Sequence, residues 1–420
     1  MAMTREPTVL QAEALVDTLF SLDQDAINNP YPTYEVMRKV LPVARWGSMV
    51  ALATYEDVKN ALRDPQTFSS IRQYGSRITA RRAQLSPGDA LKLDELVAAE
   101  GRWMAQTDDP QHARYRRFVN HAFSSNRIAE MRHQVQSVAD ELLDDVDARG
   151  DGTLELVEDF SYKLPLRVIC KLLGASGPDI QNIRVWSDAI GTGIGTEYSN
   201  IHEAHDALAS FRAFVTTLIQ RARANTDSAT DLFAELVSTD DEGVYLDDDD
   251  LVSMFIQLLF AGHETTTNLI SNATADLLRN ADQLQLVRDD RSLLRPAVEE
   301  FLRYRGSIQA IHRMATRDVE VSGVTINAGE TVRLLLGSAN HDPSVFENPG
   351  VLDITRKNAR SHLGLGYGIH SCLGMWLTRL EVEVALDSLL TRYPDLAFAG
   401  PVNNRRNFTL HGPAEMHLTI

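Results

Sequence analysis

The sequence predicts a mainly α protein with a smaller β-rich part, and three observations carry that prediction. Apolar residues recur at helical spacing along most of the chain up to Phe301. After Phe301 the pattern changes to short runs punctuated by Gly323 and by Asn327-Ala328-Gly329, which read as strands. No Pro, Gly or Ser linker separates the two parts and no internal repeat is present, so a single domain over residues 1–420 is expected, its small β region lying near the N-terminus and after residue 305.

Taken in order, Tyr31–Val40 and Tyr55–Leu62 are short amphipathic helices that flank a hairpin, Val43–Trp46 and Met49–Thr54, turning on Gly47-Ser48. Phe68–Trp103 shows no steady period and reads as a long loop of the functional kind. Helical spacing returns at Gln111–Ala122, Arg127–Val146, Tyr162–Leu173, Ile201–Ala222 and Asp231–Val237. The carboxylates Asp247–Asp250 then suit a helix N-terminus, where they complement the dipole and offer caps. Leu251–Phe260 is apolar on nearly every face, so that helix must be buried all round.

Into it falls Ala261-Gly262-His263-Glu264-Thr265-Thr266-Thr267, before helical spacing resumes through Leu278. Gly and β-branched Thr are poor interior helix residues and Thr hydroxyls bond back to earlier carbonyls, so a local widening or kink is expected. Val319–Val321, Val324–Ile326 and Thr331–Leu335 read as strands, Met375–Tyr393 as a last helix, and Leu396–Phe398 and Met416–Ile420 as closing strand-like pieces.

Composition excludes several classes. Hydrophobic residues at 44% and charged residues at 24% make an ordinary globular mixture, which rules out a disordered or fibrous chain. With 41 Lys+Arg against 58 Asp+Glu the balance is −17, which argues against nucleic acid or an anionic membrane as partner. The two cysteines, Cys170 and Cys372, exclude a disulfide framework and a four-cysteine metal site. Arg5, Glu6, Glu13 and Asp17 interrupt the N-terminal stretch and no later run is long enough to span a bilayer. A cytoplasmic protein without membrane anchor is therefore expected.

Chemistry concentrates in three places. In His362–Gly374, glycines at 364, 366, 368 and 374 let the backbone approach a large flat object and leave amides free to point at one atom. If that atom is the Cys372 sulfur, a thiolate is stabilised and becomes a candidate metal ligand. An inert buried cysteine, a zinc site from His362, His370 and Cys372, and a Cys/His hydrolase are the competing readings. Glu264 beside Thr265 in a buried helix is costly unless it has a task, the alternative being a solvent-facing turn. Glu300 and Arg303 share a helix face and can pair, as many solvated pairs do.

Together these motifs resemble cytochrome P450 monooxygenases. Gly366–Gly374 is similar to the haem-binding signature Phe-Gly-x-Gly-x-His-x-Cys-x-Gly, with Leu365 in place of Phe. Ala261–Thr266 is similar to the oxygen-activation motif (A/G)Gx(D/E)TT, and Glu300-x-x-Arg303 to the ExxR motif. Further matches fall at Asp108–Arg117, Asn340–Pro343 and Asp353–Arg356.

The resemblance implies a cytochrome P450 fold holding haem b, an iron protoporphyrin IX, through the Cys372 thiolate, which favours O–O cleavage. It implies that Glu264 and Thr265 deliver protons to dioxygen. It implies that His112, Arg116, Arg313 and His370 hold the haem propionates, that Ala261, Leu365, Gly366 and Gly374 line the cofactor, and that Glu300 and Arg303 brace the cysteine side. Ser307, His341 and Met375-Trp376 depart from the usual pattern, as Leu365 does.

It further implies electrons from NAD(P)H through a separate reductase and a ferredoxin or flavodoxin, docking on a basic patch made of Arg114, Arg117, Arg356, Lys357, Arg360 and Arg379. Arg102, Trp103, Leu258, Ile308, Ile311 and Phe408 fall in pocket-lining regions and suggest a small to medium, largely apolar organic substrate. Hydroxylation or O-dealkylation is expected, with an aromatic acid as one candidate; Arg102 reads either as an anchor for its carboxylate or, the favoured alternative, as a surface arginine. A haem-binding sensor or carrier without turnover is the alternative.

Overall fold

The computed structural model describes residues 7–71, 76–175, 177–195, 198–224, 232–241 and 243–420. Its axis is one helix, Asp248–Arg279, of 32 residues. Asp247 caps it by accepting the Asp250 amide at 2.7 Å, and Asp248, Asp249 and Asp250 fill the first turn as the dipole favours. Leu251 to Leu259 are all buried, because Lys163–Leu172, Ile201–Ala224 and Met375–Arg392 pack around the helix. One apolar cluster runs through these elements.

The β part joins distant segments. A five-stranded sheet has the order Val43–Trp46, Met49–Leu52, Thr331–Leu334, Ile311–Ala315, Phe68–Ser69. Met49–Leu52 pairs parallel with Thr331–Leu334, Val50 opposite Val332, so the N-terminal hairpin and the strands after the Glu300 helix share one sheet. Val319–Val321 and Val324–Ile326 form the expected small hairpin.

One expectation needs correction, and one helix was not expected. Phe68–Trp103 is not a long loop, since Pro87–Gly101 is a helix capped by Ser86 with proline at its start. Its buried positions are only Ala90, Leu93 and Leu96, too few to impose a period on a polar sequence. Gly177–Gly195 is a helix the pattern concealed. Its Gly191 serves close packing, because a Cβ there would come within 2.6 Å of the Phe260 ring.

At Ala261–Thr267, where a local widening or kink is expected, the residues all belong to the helix Asp248–Arg279. Thr265 Oγ1 and Thr267 Oγ1 donate to the carbonyls of Ala261 and His263 at 3.0 and 2.9 Å, so both hydroxyls are satisfied inside the helix. Gly262 lets Ile169 approach, whose Cγ1 would lie 3.0 Å from an added Cβ. Arg5, Glu6 and Asp231 fall outside the described residues. Among the described residues no helix is long and apolar enough to cross a membrane.

Candidate active site

Cys372 is half-buried in a loop that the rest of the fold holds rigidly. Its amide donates to Leu365 O at 2.8 Å, and the loop leads into the N-terminus of the helix Met375–Arg392. Burial pushes the thiol up, while the Gly374 amide, Arg116 and Arg379 oppose that and favour the thiolate. The glycines divide their work: an added Cβ would lie 2.7 Å from Leu302 O at Gly364 and 2.7 Å from Leu62 O at Gly368, so protein packing requires both. Nothing lies within 4 Å of a Cβ at Gly374, the one beside the sulfur. Cys170 is fully buried and burial pushes its thiol up to about 12, so it is a core residue.

The Glu300–Arg303 pair is a fully buried fork with contacts of 2.7 and 2.8 Å. Arg303 also donates to the carbonyls of Asn340, Pro349 and Val351, and Glu300 accepts from the Asp353 amide and from Arg356 Nε. This knot excludes the solvated-pair reading. Its neighbour Glu299, which carried no expectation, holds the cysteine loop directly. Arg379 grips Glu299 at 2.7 and 3.1 Å, and His362 Nε2 stands 3.1 Å from it. Despite burial, which opposes it, these partners hold the Glu299 carboxyl down at about 2. His362 Nδ1 accepts the Gly364 amide, so both its ring nitrogens are engaged and it is not a zinc ligand.

His112, Arg116, Arg313 and His370 converge, as the sequence implied. The His112 and His370 rings are 4.2 Å apart, Arg116 donates to Ser371 O at 2.7 Å, and His370 Nε2 meets Ser70 Oγ at 2.9 Å. Burial pushes His370 down to about 3, with Arg313, His112 and Arg116 adding to it. His112 Nδ1 stands 3.5 Å from Asp109 Oδ1, while its Nε2 has no hydrogen-bond partner among the described residues although the side chain is 3% exposed. Two arginines and two imidazoles gathered around unsatisfied buried donors fit a ligand that brings carboxylates. Beside a cysteine at a helix N-terminus and a half-buried Leu365–Gly374 surface, the arrangement fits haem.

On the central helix, Ala261 is exposed and Glu264 and Thr265 are half-buried, while His263, Thr266 and Thr267 turn inward. Burial raises the Glu264 carboxyl, and Arg405, whose Nη1 stands 3.6 Å away, opposes this. Arg405 had no role in the sequence reading, and nothing in its local pattern distinguishes it. Trp103 packs its ring 5.7 Å from Phe260, the residue before Ala261. Ile308 bridges Leu410, and Ile311 opens a sheet strand, both half-buried. Leu258 is 8% exposed within the main core.

Four of the residues named from the sequence have partners within the fold. Arg102 is committed to the acids that start the central helix, with Asp250 at 2.7 Å and Asp247 at 3.4 Å, so it is no free anchor for a substrate carboxylate. Phe408 packs 5.1 Å from Phe20 with Arg333 over its face, in the cluster beneath the N-terminal helix. Arg356 belongs to the Glu300 knot, its side chain 8% exposed, and Arg379 is held by Glu299. Neither is a free docking charge. Arg117, Lys357 and Arg360 remain exposed.

Comparison with known proteins agrees with this geometry. Residues 180–397 match the family model described as Cytochrome P450. The chain is 36% identical over 404 residues to cytochrome P450 monooxygenase PikC of Streptomyces venezuelae, covering 94% of this chain and 91% of that protein. It is 34% identical over 400 residues to the vitamin D(3) 25-hydroxylase of Pseudonocardia autotrophica, covering 93% and 94%. Among solved structures, P450BioI in complex with an acyl carrier protein ligated to hexadec-9Z-enoic acid superposes with a TM-score of 0.85 at 31% identity, over 95% of this chain and 100% of that one.

Proposed function

Because the chain belongs to the cytochrome P450 family of haem-binding oxidoreductases, we propose that it inserts one atom of dioxygen into a small to medium, largely apolar organic molecule. The observation that carries this reading is the convergence of His112, Arg116, Arg313 and His370 beside Cys372, with the buried His112 Nε2 unpaired among the described residues. In balance, substrate R–H, dioxygen, two electrons and two protons yield R–OH and water. When bound, haem b supplies the reductive activation of dioxygen and the oxygen transfer.

The chain's own part is positioning and proton handling. The cationic cluster would hold the propionates and Cys372 would ligate the iron, with the Gly374 amide turned to its sulfur. Glu299, Glu300 and Arg303 keep that loop fixed against the Leu294–Tyr304 helix. Glu264 is half-buried on a helix whose neighbouring face is apolar, so its raised basicity lets it hold a proton and release it through the Thr265 hydroxyl. The engagement of Arg102 by Asp250 favours neutral, apolar substrates over aromatic acids.

Electrons come from NAD(P)H through a reductase and a ferredoxin or flavodoxin in the cytoplasm. Reduced protein under carbon monoxide tests the core of the reading. A red-shifted thiolate-type band, lost in Cys372→Ser, is expected, and a band that survives the substitution would overturn it. Titrations of the haem spin shift should show tighter binding of neutral terpenoids than of benzoate-like acids.

A further inference from the structure

The central helix carries polar side chains for which the reaction above has no use. Asn268, Asn272 and Asp276 follow Glu264 at four-residue intervals and so share one helix face. They are 1%, 3% and 1% exposed. Asn272 Nδ2 donates to Arg305 O at 3.1 Å and His411 O at 2.9 Å, and Asp276 Oδ1 stands 3.0 Å from Arg305 Nε. His411 Nε2 lies 2.9 Å from Asn404 Nδ2 and 3.1 Å from Ile27 O. The Arg305 guanidinium sits 5.9 Å from the Tyr31 ring and 6.0 Å from the Tyr304 ring.

Along this stripe polar atoms go unpaired. Asn268 Oδ1 and Nδ2, His411 Nδ1, Asp276 Oδ2 and Tyr31 Oη are inaccessible and have no hydrogen-bond partner among the described residues. An amide unpaired at both ends bears the full desolvation penalty, and proteins meet such sites with buried water that takes two to four polar partners. The Asn268 amide is pressed against the C-terminal loop, where a Cβ on Gly412 would lie 2.2 Å from its oxygen. Its unpaired groups are therefore held in place and are not free to turn to solvent.

We propose that this face holds a chain of buried water that conducts protons to Glu264, with Asn268 as the relay beside the acid and the Asp276–Arg305 pair at its far end. Each proton that Glu264 gives up is replaced by one passed along the waters, and Asp276 regains its own from solvent beside Arg305, whose side chain is 19% exposed. No bond other than O–H is made or broken, and no electron moves. Burial pushes Asp276 up to about 6 against the pull of Arg305 and Arg279, so it exchanges protons near neutral pH. Of the other groups facing the stripe, burial takes Tyr31 up to about 12, raises Tyr304, takes His411 down to about 3 and lowers His341 far below its ordinary value. Those four are neutral and cannot replace Asp276 as the exchanging acid.

The inference rests on the monooxygenase reading only for the destination of the proton, and its first test needs no turnover. A high-resolution crystal structure of the haem-loaded protein should show ordered waters bonded to Asn268, His411 Nδ1 and Asp276 Oδ2, and a dry face overturns the proposal. In turnover, Asp276→Asn and Asn268→Leu should each lower product per dioxygen at least threefold and increase the solvent deuterium isotope effect. Asn268→Ser, which leaves room for water, should keep both near wild type. All variants should retain the carbon monoxide band and the first-electron rate. Unchanged yields and isotope effects in Asp276→Asn overturn the proton route even where waters are seen. A wild type without product counts against the monooxygenase reading and leaves the water arm to decide the chain.

Discussion

At the residue scale, the acid of the acid–alcohol pair is governed by a partner remote in sequence. Burial and Asp188 raise the Glu264 pKa, and Arg405 lowers it. Removing the cation should therefore move the carboxyl further up, so that at any fixed pH more of it is protonated. Arg405→Gln is expected to shift the infrared titration of the Glu264 carboxyl, isolated by subtracting Glu264→Gln, to higher pH. An unchanged midpoint would remove Arg405 as its partner. Glu264, Cys372 and the four residues proposed for the propionates were legible because the family resemblance names their positions. Arg405, Glu299 and Asp276 were not, since their roles depend on contacts between segments that the chain order separates. His112→Phe should release haem on gel filtration while leaving the helical circular dichroism intact, because the substitution removes the unpaired Nε2 and one contact to a largely exposed Asp109. Full haem retention would count against its assigned role.

At the element scale, the cysteine loop is stiff because the Leu294–Tyr304 helix grips it through adjacent carboxylates. Glu299 sits at about 2 against an ordinary value of 4.5. A depressed carboxyl contributes stability that is full above the unfolded value and is lost as pH falls from about 4.5 towards about 2. Allowing for screening, the contribution is about 2 kcal/mol. Urea unfolding should thus weaken on acidification, and Glu299→Gln should flatten that slope, whereas an equal slope in both proteins would remove Glu299 from the account. The same scale explains which elements were legible. Tyr55–Arg63 and Met375–Arg392 bury a continuous face or sit between packed neighbours, so their periodicity survives. Pro87–Gly101 buries only Ala90, Leu93 and Leu96, Gly191 within Gly177–Gly195 is set by the Phe260 ring, and in the central helix Thr265 and Thr267 bond back to carbonyls four residues earlier.

At the scale of the whole molecule, a net charge of −17 would repel an acidic electron carrier if the charge acted as a sum. It does not, because at physiological salt the Debye length is about 8 Å and only charges close to the contact count. What matters is which cations of the cysteine-side segments are free. Arg356 and Arg379 are engaged by Glu300 and Glu299, and Arg114 donates to Tyr245 O, which leaves Lys357 and Arg360 exposed on the segment leading to Cys372. The patch is thus smaller than the sequence suggested, and each remaining charge bears more of the steering. Reversing both Lys357 and Arg360 to Glu should slow haem reduction by a ferredoxin about tenfold at low salt, and the deficit should shrink as salt rises. Arg356→Glu should instead lower the unfolding midpoint, since it leaves Glu300 facing a second buried carboxylate. If the double reversal reduces at the wild-type rate with its carbon monoxide band intact, the carrier docks elsewhere and these cations serve only solubility.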